Sequence, residues 1–359
     1  MIQINCTIVN ITVAPVLNLA NGHDYIAELE SDTRAIFKVQ DIDHQVIGNF
    51  EADDQIVFRD YVVPSNPGSY EGPVLELKPF IQELHISRDQ FLLPDGTNYN
   101  WKGNIDFMLF KRSLDGQDIS PLLAQRFNSG SRAIVTLMMA AFIERFYPSD
   151  YGARYLEHIH PFAETLKSKG FYWTPIVFAD AQIIIPDKGS QTIFLGKISE
   201  QFAGMHWVLP SLCNEYQKNG CDPSIFNKPV GNLWSRGSNL SDSEPYRPGW
   251  DWKEWHPRRD WPKVIFGNDD AWYVKEGMDA ENHMLDYPMP CIIGEPIGFW
   301  DRNVPNRRSN DPNLARVIGG TSIYDARGAN FMSEQGLRCD MWDPITENCA
   351  KVFFNAINQ

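Results

Sequence analysis

The sequence predicts an α/β protein in which a (β/α)8 barrel follows a small all-β domain. Three observations lead to this prediction. Short β-branched runs separated by turn residues fill about the first 85 positions. From about residue 90, apolar strand-like runs alternate with helical patterns, which is typical of a parallel α/β architecture. Eight such runs fit into about 270 residues, the usual size of a (β/α)8 barrel.

The N-terminal segment, residues 1–88, is predicted to be a small sandwich or barrel. Turn signals such as Asn21-Gly22 separate its strand candidates. Residues 1–90 carry 14 acidic and 5 basic side chains, so they hold most of the net charge of -14. We therefore expect an acidic accessory domain, which is either simply well solvated or docks onto an assembly partner. Its strand candidates are residues 8–13, 25–29, 35–39, 56–63 and 74–77.

The second segment, residues 89–359, is predicted to be the barrel. Helical patterns separate its strand candidates, as in residues 155–169, where Leu156, Ile159 and Phe162 share one face and Gly170 follows. The eight strand candidates are residues 105–110, 133–139, 172–178, 207–212, 231–235, 252–256, 291–294 and 329–333.

Composition and motifs exclude several classes of function. The acidic pI of about 5.0 excludes the basic surface that a nucleic-acid-binding domain needs. The six cysteines form no CxxC pair, and no phosphate loop or GxSxG motif occurs, so we predict no metal and no cofactor. No apolar run approaches the roughly 18 residues of a membrane span. The N-terminus lacks the pattern of a signal peptide, so we expect a protein that is cytoplasmic when made. Incorporation in a virus particle is one route by which it could leave the cell.

Two glutamates carry the functional hypothesis. Glu215 follows the apolar run Leu212-Cys213, and Glu295 follows the run that begins at Cys291. Two carboxylates delivered by the ends of buried strands suit hydrolysis of a glycosidic bond, because one group must hold a proton and the other must stay ionised. The alternative interpretation is a pair of unrelated surface glutamates at the starts of two loops.

The context of these glutamates resembles the clan A glycoside hydrolases, retaining (β/α)8 enzymes of the cellulase and mannanase type. Asn214 precedes Glu215 after strand four, and Glu295 follows strand seven. The resemblance implies that Glu215 is the acid/base, Asn214 a ligand of the sugar 2-hydroxyl and Glu295 the nucleophile. His256, at the end of strand six, matches a position where the clan often carries a histidine of the site.

The sequence also departs from that clan. An arginine that supports the nucleophile is common at the end of strand two, where this chain has Met138-Met139. The segment around Trp250 and His256 is unlike that of the well-studied cellulases and looks more like an uncharacterised branch from bacteria and their viruses.

Further substrate-binding candidates are two arginines and two tryptophans. Arg236 or Arg258 could place a cation near Glu295, although an arginine at a barrel rim is often only part of an ion pair. Seven of the eleven tryptophans lie between residues 234 and 300, and flat indole rings stack well on pyranose rings. We expect most of them to be structural and a few, with Trp234 and Trp300 as candidates, to face the cleft.

The sequence therefore predicts a retaining glycoside hydrolase that acts on a poly- or oligosaccharide, with a virion as one setting. The alternative is a non-catalytic glycan-binding or structural virion or tail protein with a degenerate barrel. A carbohydrate partner is expected in both cases.

Overall fold

The computed structural model describes residues 81–238, 249–256, 289–295, 312–325 and 327–357, and the backbone of six strands before residue 79. The chain divides into two compact units. The first comprises Met1–Gln82 with Lys167–Gly170, and the second comprises Glu83–Leu166 with Phe171–Gln359. Independent folding of the two segments, with a boundary between residues 88 and 89, stays a prediction.

The six described strands of the N-terminal segment are all antiparallel. The first four form one sheet in chain order and the last two form another. The residues between these strands, and with them the predicted sandwich or barrel, lie outside the described part of the chain. The strands are β1 (Gln3–Thr7), β2 (Asp24–Leu29), β3 (Phe37–Asp41), β4 (Val46–Phe50), β5 (Gln55–Phe58) and β6 (Leu75–Lys78).

A seven-stranded parallel sheet forms the centre of the second unit. Its order is β12-β11-β10-β9-β15-β14-β13, and its register pairs Ala133 with Gly103 on one side and with Tyr172 on the other. A short antiparallel hairpin of β7 (His85–Ser87) and β8 (Gln90–Leu92) precedes it. The seven strands are β9 (Trp101–Ile105), β10 (Ala133–Leu137), β11 (Tyr172–Phe178), β12 (Ser211–Cys213), β13 (Lys253–Trp255), β14 (Cys291–Ile293) and β15 (Gly328–Phe331).

Ser235 joins the two edges of this sheet. It forms one parallel bridge with Ser211 of β12 and another with Trp252, next to β13. Its amide also donates a hydrogen bond of 2.8 Å to the carbonyl of Pro210. The sheet therefore curls back on itself, which is consistent with a (β/α)8 barrel. Ser235 lies at the position of the fifth predicted strand.

Two of the predicted strands are shifted in the structure. The first was expected at residues 105–110, but β9 ends at Ile105, and the chain then turns at Asp106, whose carbonyl accepts the amide of Leu109 at the start of the next helix. The fourth was expected at residues 207–212, but β12 begins after Pro210, which has no amide proton for the ladder.

The helices of the second unit lie mostly between the strands. The predicted helix over residues 155–169 is two helices that meet at His158, because Pro161 cannot donate to the turn before it. The helices are α1 (Leu109–Leu114), α2 (Ser120–Asn128), α3 (Ala153–Glu157), α4 (Ile159–Ser168), α5 (Ala181–Ile184), α6 (Lys188–Phe202), α7 (Tyr216–Asn219), α8 (Pro312–Asp325), α9 (Glu334–Leu337) and α10 (Pro344–Ile357), with 3-10 turns at Pro148–Asp150 and Pro223–Ile225. Among the helices described, none combines the length and apolarity needed to cross a membrane.

Aromatic side chains close the amino-terminal end of the sheet. Trp101, at the start of β9, stacks on Trp252 with ring centroids 6.2 Å apart, and Phe91 lies 6.0 Å from Trp101. All three are buried. Aromatic rings bury the largest apolar area per side chain, so these three stabilise the end of the sheet opposite the carboxyl ends of the strands.

A buried ion pair anchors the end of β9 to α2. Both Nε and Nη2 of Arg126 donate to the Asp106 carboxylate, at 3.2 and 3.0 Å, and neither side chain is exposed to solvent. Asn104 donates to the same carboxylate, and the guanidinium lies 3.8 Å above the ring of Trp342. The buried charges of Asp106 and Arg126 are therefore compensated by each other and by these neighbouring groups.

We expect Arg126→Met to lower the free energy of unfolding by about 3–5 kcal/mol, because it leaves the Asp106 charge buried and unpaired. The double variant Asp106→Leu/Arg126→Met should recover part of that loss. As a control, Arg145→Ala breaks the exposed pair with Asp150 and should cost less than about 1 kcal/mol. Urea unfolding measures all three, and equal losses at the buried and the exposed pair would contradict the expectation.

Candidate active site

Three ionisable side chains meet at the carboxyl ends of the strands. Glu215 lies two residues after β12, Glu295 two residues after β14, and His256 directly after β13. The exposed fractions of these residues are 2%, 8% and 2%. The two predicted glutamates and the predicted histidine are therefore brought together in one buried group.

The imidazole lies between the two carboxylates. Nδ1 of His256 is 3.7 Å from Oε1 of Glu215 and 3.8 Å from Oε2 of Glu295. One oxygen of each glutamate and the ring nitrogen all lie within 4.8 Å of one another. At these distances the contacts are electrostatic rather than direct hydrogen bonds.

The backbone of Glu215 adopts a left-handed conformation. Its φ and ψ are 41° and 59°, a region that residues with a Cβ rarely occupy. Ser238 holds it there, because its Oγ accepts a hydrogen bond of 2.9 Å from the amide of Glu215 and its carbonyl accepts one of 3.2 Å from Tyr216. Local strain of this kind persists only where the surrounding structure imposes it.

The same serine fixes Asn214. Its Oγ donates to Oδ1 of Asn214 at 3.2 Å, while the amide of Asn214 donates to the carbonyl of Phe178 on β11. Asn219, at the end of α7, donates to the carbonyl of Asn214. Asn214, the residue predicted to bind the sugar 2-hydroxyl, is 5% exposed, and hydrogen bonds with Ser238, Phe178 and Asn219 hold it in place.

Glu295 is positioned through the residue before it. The side-chain amide of Asn330, on β15, donates a hydrogen bond of 3.0 Å to the carbonyl of Gly294. Asn330 is in turn fixed by the indole N–H of Trp101, at 2.9 Å from its Oδ1. A chain of buried hydrogen bonds therefore runs from the aromatic base to the backbone beside Glu295.

The local charges act on His256. Burial alone would lower its pKa, but the carboxylates of Glu295, Glu215 and Glu254 outweigh burial and raise the pKa above its ordinary value. Burial also raises the pKa of the Glu254 carboxyl, against the opposing effects of His256 and of a hydrogen bond from Ser211. The imidazole is thus favoured as the cation of the group.

The spacing of the three groups is wider than a compact zinc site requires. Tetrahedral zinc, with bonds of about 2.0–2.1 Å, brings its ligand atoms to about 3.3 Å from one another. Here the ring nitrogen and the nearest carboxylate oxygens are 3.7 and 3.8 Å apart. We therefore interpret the group as an acid–base arrangement.

Among the other predicted substrate-binding residues, the structure describes Trp234 and Arg236. Trp234 is completely buried with its ring 6.1 Å from that of Phe202, so no face of the indole is open to a ligand in this structure. Arg236 lies with its guanidinium 4.9 Å from the ring of Tyr216. Arg258 and Trp300 lie outside the described residues.

Sequence reasoning missed the residues that hold the site. Ser238, Asn330 and Glu254 are buried polar side chains, but none follows a strand in the way that Glu215 does. One signal was present for Glu254. It alternates with Trp252 and His256 along β13, so all three point to the same face of the strand.

Comparison with known proteins shows a shared fold. No protein-family model and no curated protein matches the chain. A β-glucanase from Saccharophagus degradans, in complex with cellotetraose, matches with a TM-score of 0.54 at 12% identity, over 78% of this chain and 95% of that chain. Its native form gives 0.52 at 13% identity, over 78% and 94%. A β-1,4-mannanase from the sea hare Aplysia kurodai gives 0.48 at 13% identity, over 77% and 97%. At such identities the likeness to the β-glucanase shows the fold alone.

Substitution of Gly237 can test whether its close packing fixes the backbone of Asn214 and Glu215. A Cβ at Gly237 would lie 2.0 Å from the carbonyl oxygen of Cys213, whereas a Cβ at Gly231 would meet nothing within 4 Å. Both glycines have a φ of 102°. Gly231→Ala should therefore cost only the backbone strain, about 1–2 kcal/mol.

We expect Gly237→Ala to lose clearly more stability than Gly231→Ala, because it must also displace the end of β12. The free energy of unfolding of each variant, measured in urea, gives the comparison. Similar losses in the two variants would mean that the close approach of Gly237 to Cys213 does not fix this backbone.

Proposed function

We propose that the protein is a retaining glycoside hydrolase that cleaves a poly- or oligosaccharide with Glu215 as the acid/base and Glu295 as the nucleophile. One observation carries the proposal: two buried glutamates at the ends of β12 and β14 place carboxylate oxygens within 4.8 Å of each other. Retaining pairs are separated by about 5–5.5 Å and inverting pairs by about 6.5–9.5 Å. The observed separation supports the retaining mechanism.

The chemistry would proceed in two steps. Glu215 gives a proton to the glycosidic oxygen as the bond to the anomeric carbon breaks, and Glu295 attacks that carbon to form a glycosyl ester. Water then attacks the anomeric carbon, Glu215 accepts the proton of the water, and Glu295 leaves as a carboxylate. Two inversions give a product with the original anomeric configuration.

The fold narrows the choice of first substrates. The S. degradans β-glucanase that shares the fold was solved with cellotetraose. We therefore place β-linked glucans first in a glycan panel. The described site holds the groups for bond cleavage, while the residues that would select a sugar fall partly outside the described ranges.

One observation favours a second candidate, a barrel that binds glycan without cleaving it. The end of β10, where the related clan commonly has a supporting arginine, carries Met138 and Met139, both completely buried. A nucleophile must stay ionised, so it needs a cation or other donors nearby. In this chain His256, whose Nδ1 lies 3.8 Å from Oε2 of Glu295, is one group that can meet that need.

The nucleophile assignment predicts a specific rescue. Glu295→Ala should lower kcat by at least about 10³-fold, because no carboxylate remains to form the glycosyl ester. Added azide should restore turnover and yield a glycosyl azide of inverted configuration, since the small anion fits the space of the lost carboxylate. Glu157→Gln, at an exposed position of α3, is the control and should behave as wild type. A wild-type protein that binds a glycan but turns over none of the panel would sink the hydrolase proposal in favour of the binding one.

The acid/base assignment predicts dependence on the leaving group. Glu215→Gln should lose about 10²–10⁴-fold in kcat/KM on an unactivated oligosaccharide, which needs a proton on the leaving oxygen. On a dinitrophenyl glycoside, whose phenolate leaves without protonation, glycosylation should be nearly as fast as in the wild type. Burst and steady-state kinetics on the two substrates separate these steps. Equal losses on both would remove Glu215 from the role of acid.

A further inference from the structure

A third carboxyl group is buried directly below the site. Glu254 lies on β13 two residues before His256, so the two side chains point to the same face of the strand. The residue is 2% exposed. Its Oε2 accepts a hydrogen bond of 2.8 Å from Oγ of Ser211 on β12.

Gly294 brings this side chain close to His256. A Cβ at Gly294 would lie 3.0 Å from both Cδ2 and Nε2 of His256 and 3.1 Å from Cγ of Glu254. The side chains of His256 and Glu254 thus pack against the same glycine, whose neighbour in the chain is Glu295. A residue with a Cβ at this position would have to displace one of them.

A carboxyl group is an unusual filling for this position. The interior of a (β/α)8 barrel is normally packed with branched apolar side chains such as valine, isoleucine and leucine. A buried carboxyl without compensating partners is strongly unfavourable, and one hydroxyl does not satisfy two oxygens. Burial raises the pKa of the Glu254 carboxyl and His256 opposes this by lowering it, so the burial of Glu254 makes physical sense as part of the charge balance of the site.

We propose that Glu254 is a positioning residue of the site, which holds His256 from within the barrel as the cation between Glu215 and Glu295. It would thereby supply part of the electrostatic support for Glu295 that Met138 and Met139 cannot give. This inference rests on the proposed function, since it assigns the group a part in the same reaction.

The charge balance can be stated for every group that faces the imidazole among the described residues. Glu215 faces it from the loop after β12, Glu254 from β13 itself and Glu295 from the loop after β14. All three carboxylates raise the pKa of His256, so the imidazolium persists to higher pH than in an ordinary histidine.

Titration of His256 by NMR, in the full chain, tests the proposal without requiring turnover. The chain has 8 histidines, and the signal of His256 is assigned by its loss in His256→Gln. In Glu254→Gln, which keeps the shape but removes the charge, the titration midpoint of His256 should fall. Glu157→Gln, an exposed change of the same kind, should leave it in place and sets the error. An unchanged or higher midpoint in Glu254→Gln would overturn the proposal.

Ser211→Ala provides a second variant that keeps the carboxyl. Its hydroxyl lowers the pKa of Glu254, so its loss should make Glu254 less often charged and move the His256 midpoint in the same direction. If Glu254→Gln does not fold, this variant decides, and no movement of the midpoint counts against the proposal.

Kinetics give a readout that a merely structural role would not move. In Glu254→Gln the alkaline limb of the profile of kcat/KM against pH should shift to lower pH, while kcat at the optimum falls less than 10-fold. A uniform loss of kcat at all pH values, with no shift of the limb, would make Glu254 only a packing residue. If the wild-type protein cleaves no glycan, the proposed function fails, but the NMR midpoints still decide whether Glu254 sets the charge of His256.

Discussion

The arrangement of the site depends on one constraint, the burial of three carboxyl groups around a single imidazole. Moving a carboxylate out of water is unfavourable by several kcal/mol unless partners replace the lost hydration. Glu215, Glu295 and Glu254 share one nearby ring, His256, and the carboxylates raise its pKa in return. The group is therefore held together by the surrounding fold, since these side chains would separate in water.

The fold fixes the backbone beside the two glutamates at the strand ends. Ser238 and Gly237 lock the left-handed turn at Glu215, and Asn330 holds the carbonyl before Glu295. These supports come from different strands of the curled sheet, so the site is complete only when the sheet closes through Ser235. The strained backbone of Glu215 is therefore maintained only when the sheet is closed.

The sequence predicted a parallel α/β fold and three titratable residues at strand ends that the structure brings together, because both depend on local patterns. Alternation of apolar runs with helical faces indicates a parallel sheet, and a glutamate just after such a run must lie at its carboxyl end. The exact strand ends could not be predicted from local patterns, and the side-chain partner of Asp106 at the end of β9 is Arg126, which lies 20 residues later. Asn330 and Ser238 were missed for a similar reason, since each acts on a residue that is distant in sequence. Trp234 was expected in the cleft from composition alone, which does not say which face of a strand a side chain occupies.

Acidic residues at other strand ends show what distinguishes a reactive carboxylate from a structural one. Asp106 follows β9 and Asp180 follows β11, and both are buried, as Glu215 is. Asp106 receives two bonds from a guanidinium, and Asp180 accepts the amides of Ala141 and Phe142. Fixed donors leave those carboxylates nothing to exchange, so they act as joints between loops and strands. Glu215 has a side-chain donor, Nζ of the largely exposed Lys218 at 3.2 Å from its Oε2, and it shares with Glu295 a ring that can gain or lose a proton. In this barrel the number and kind of donors around each carboxylate, which only the folded chain determines, separates candidates for catalysis from residues that hold the fold.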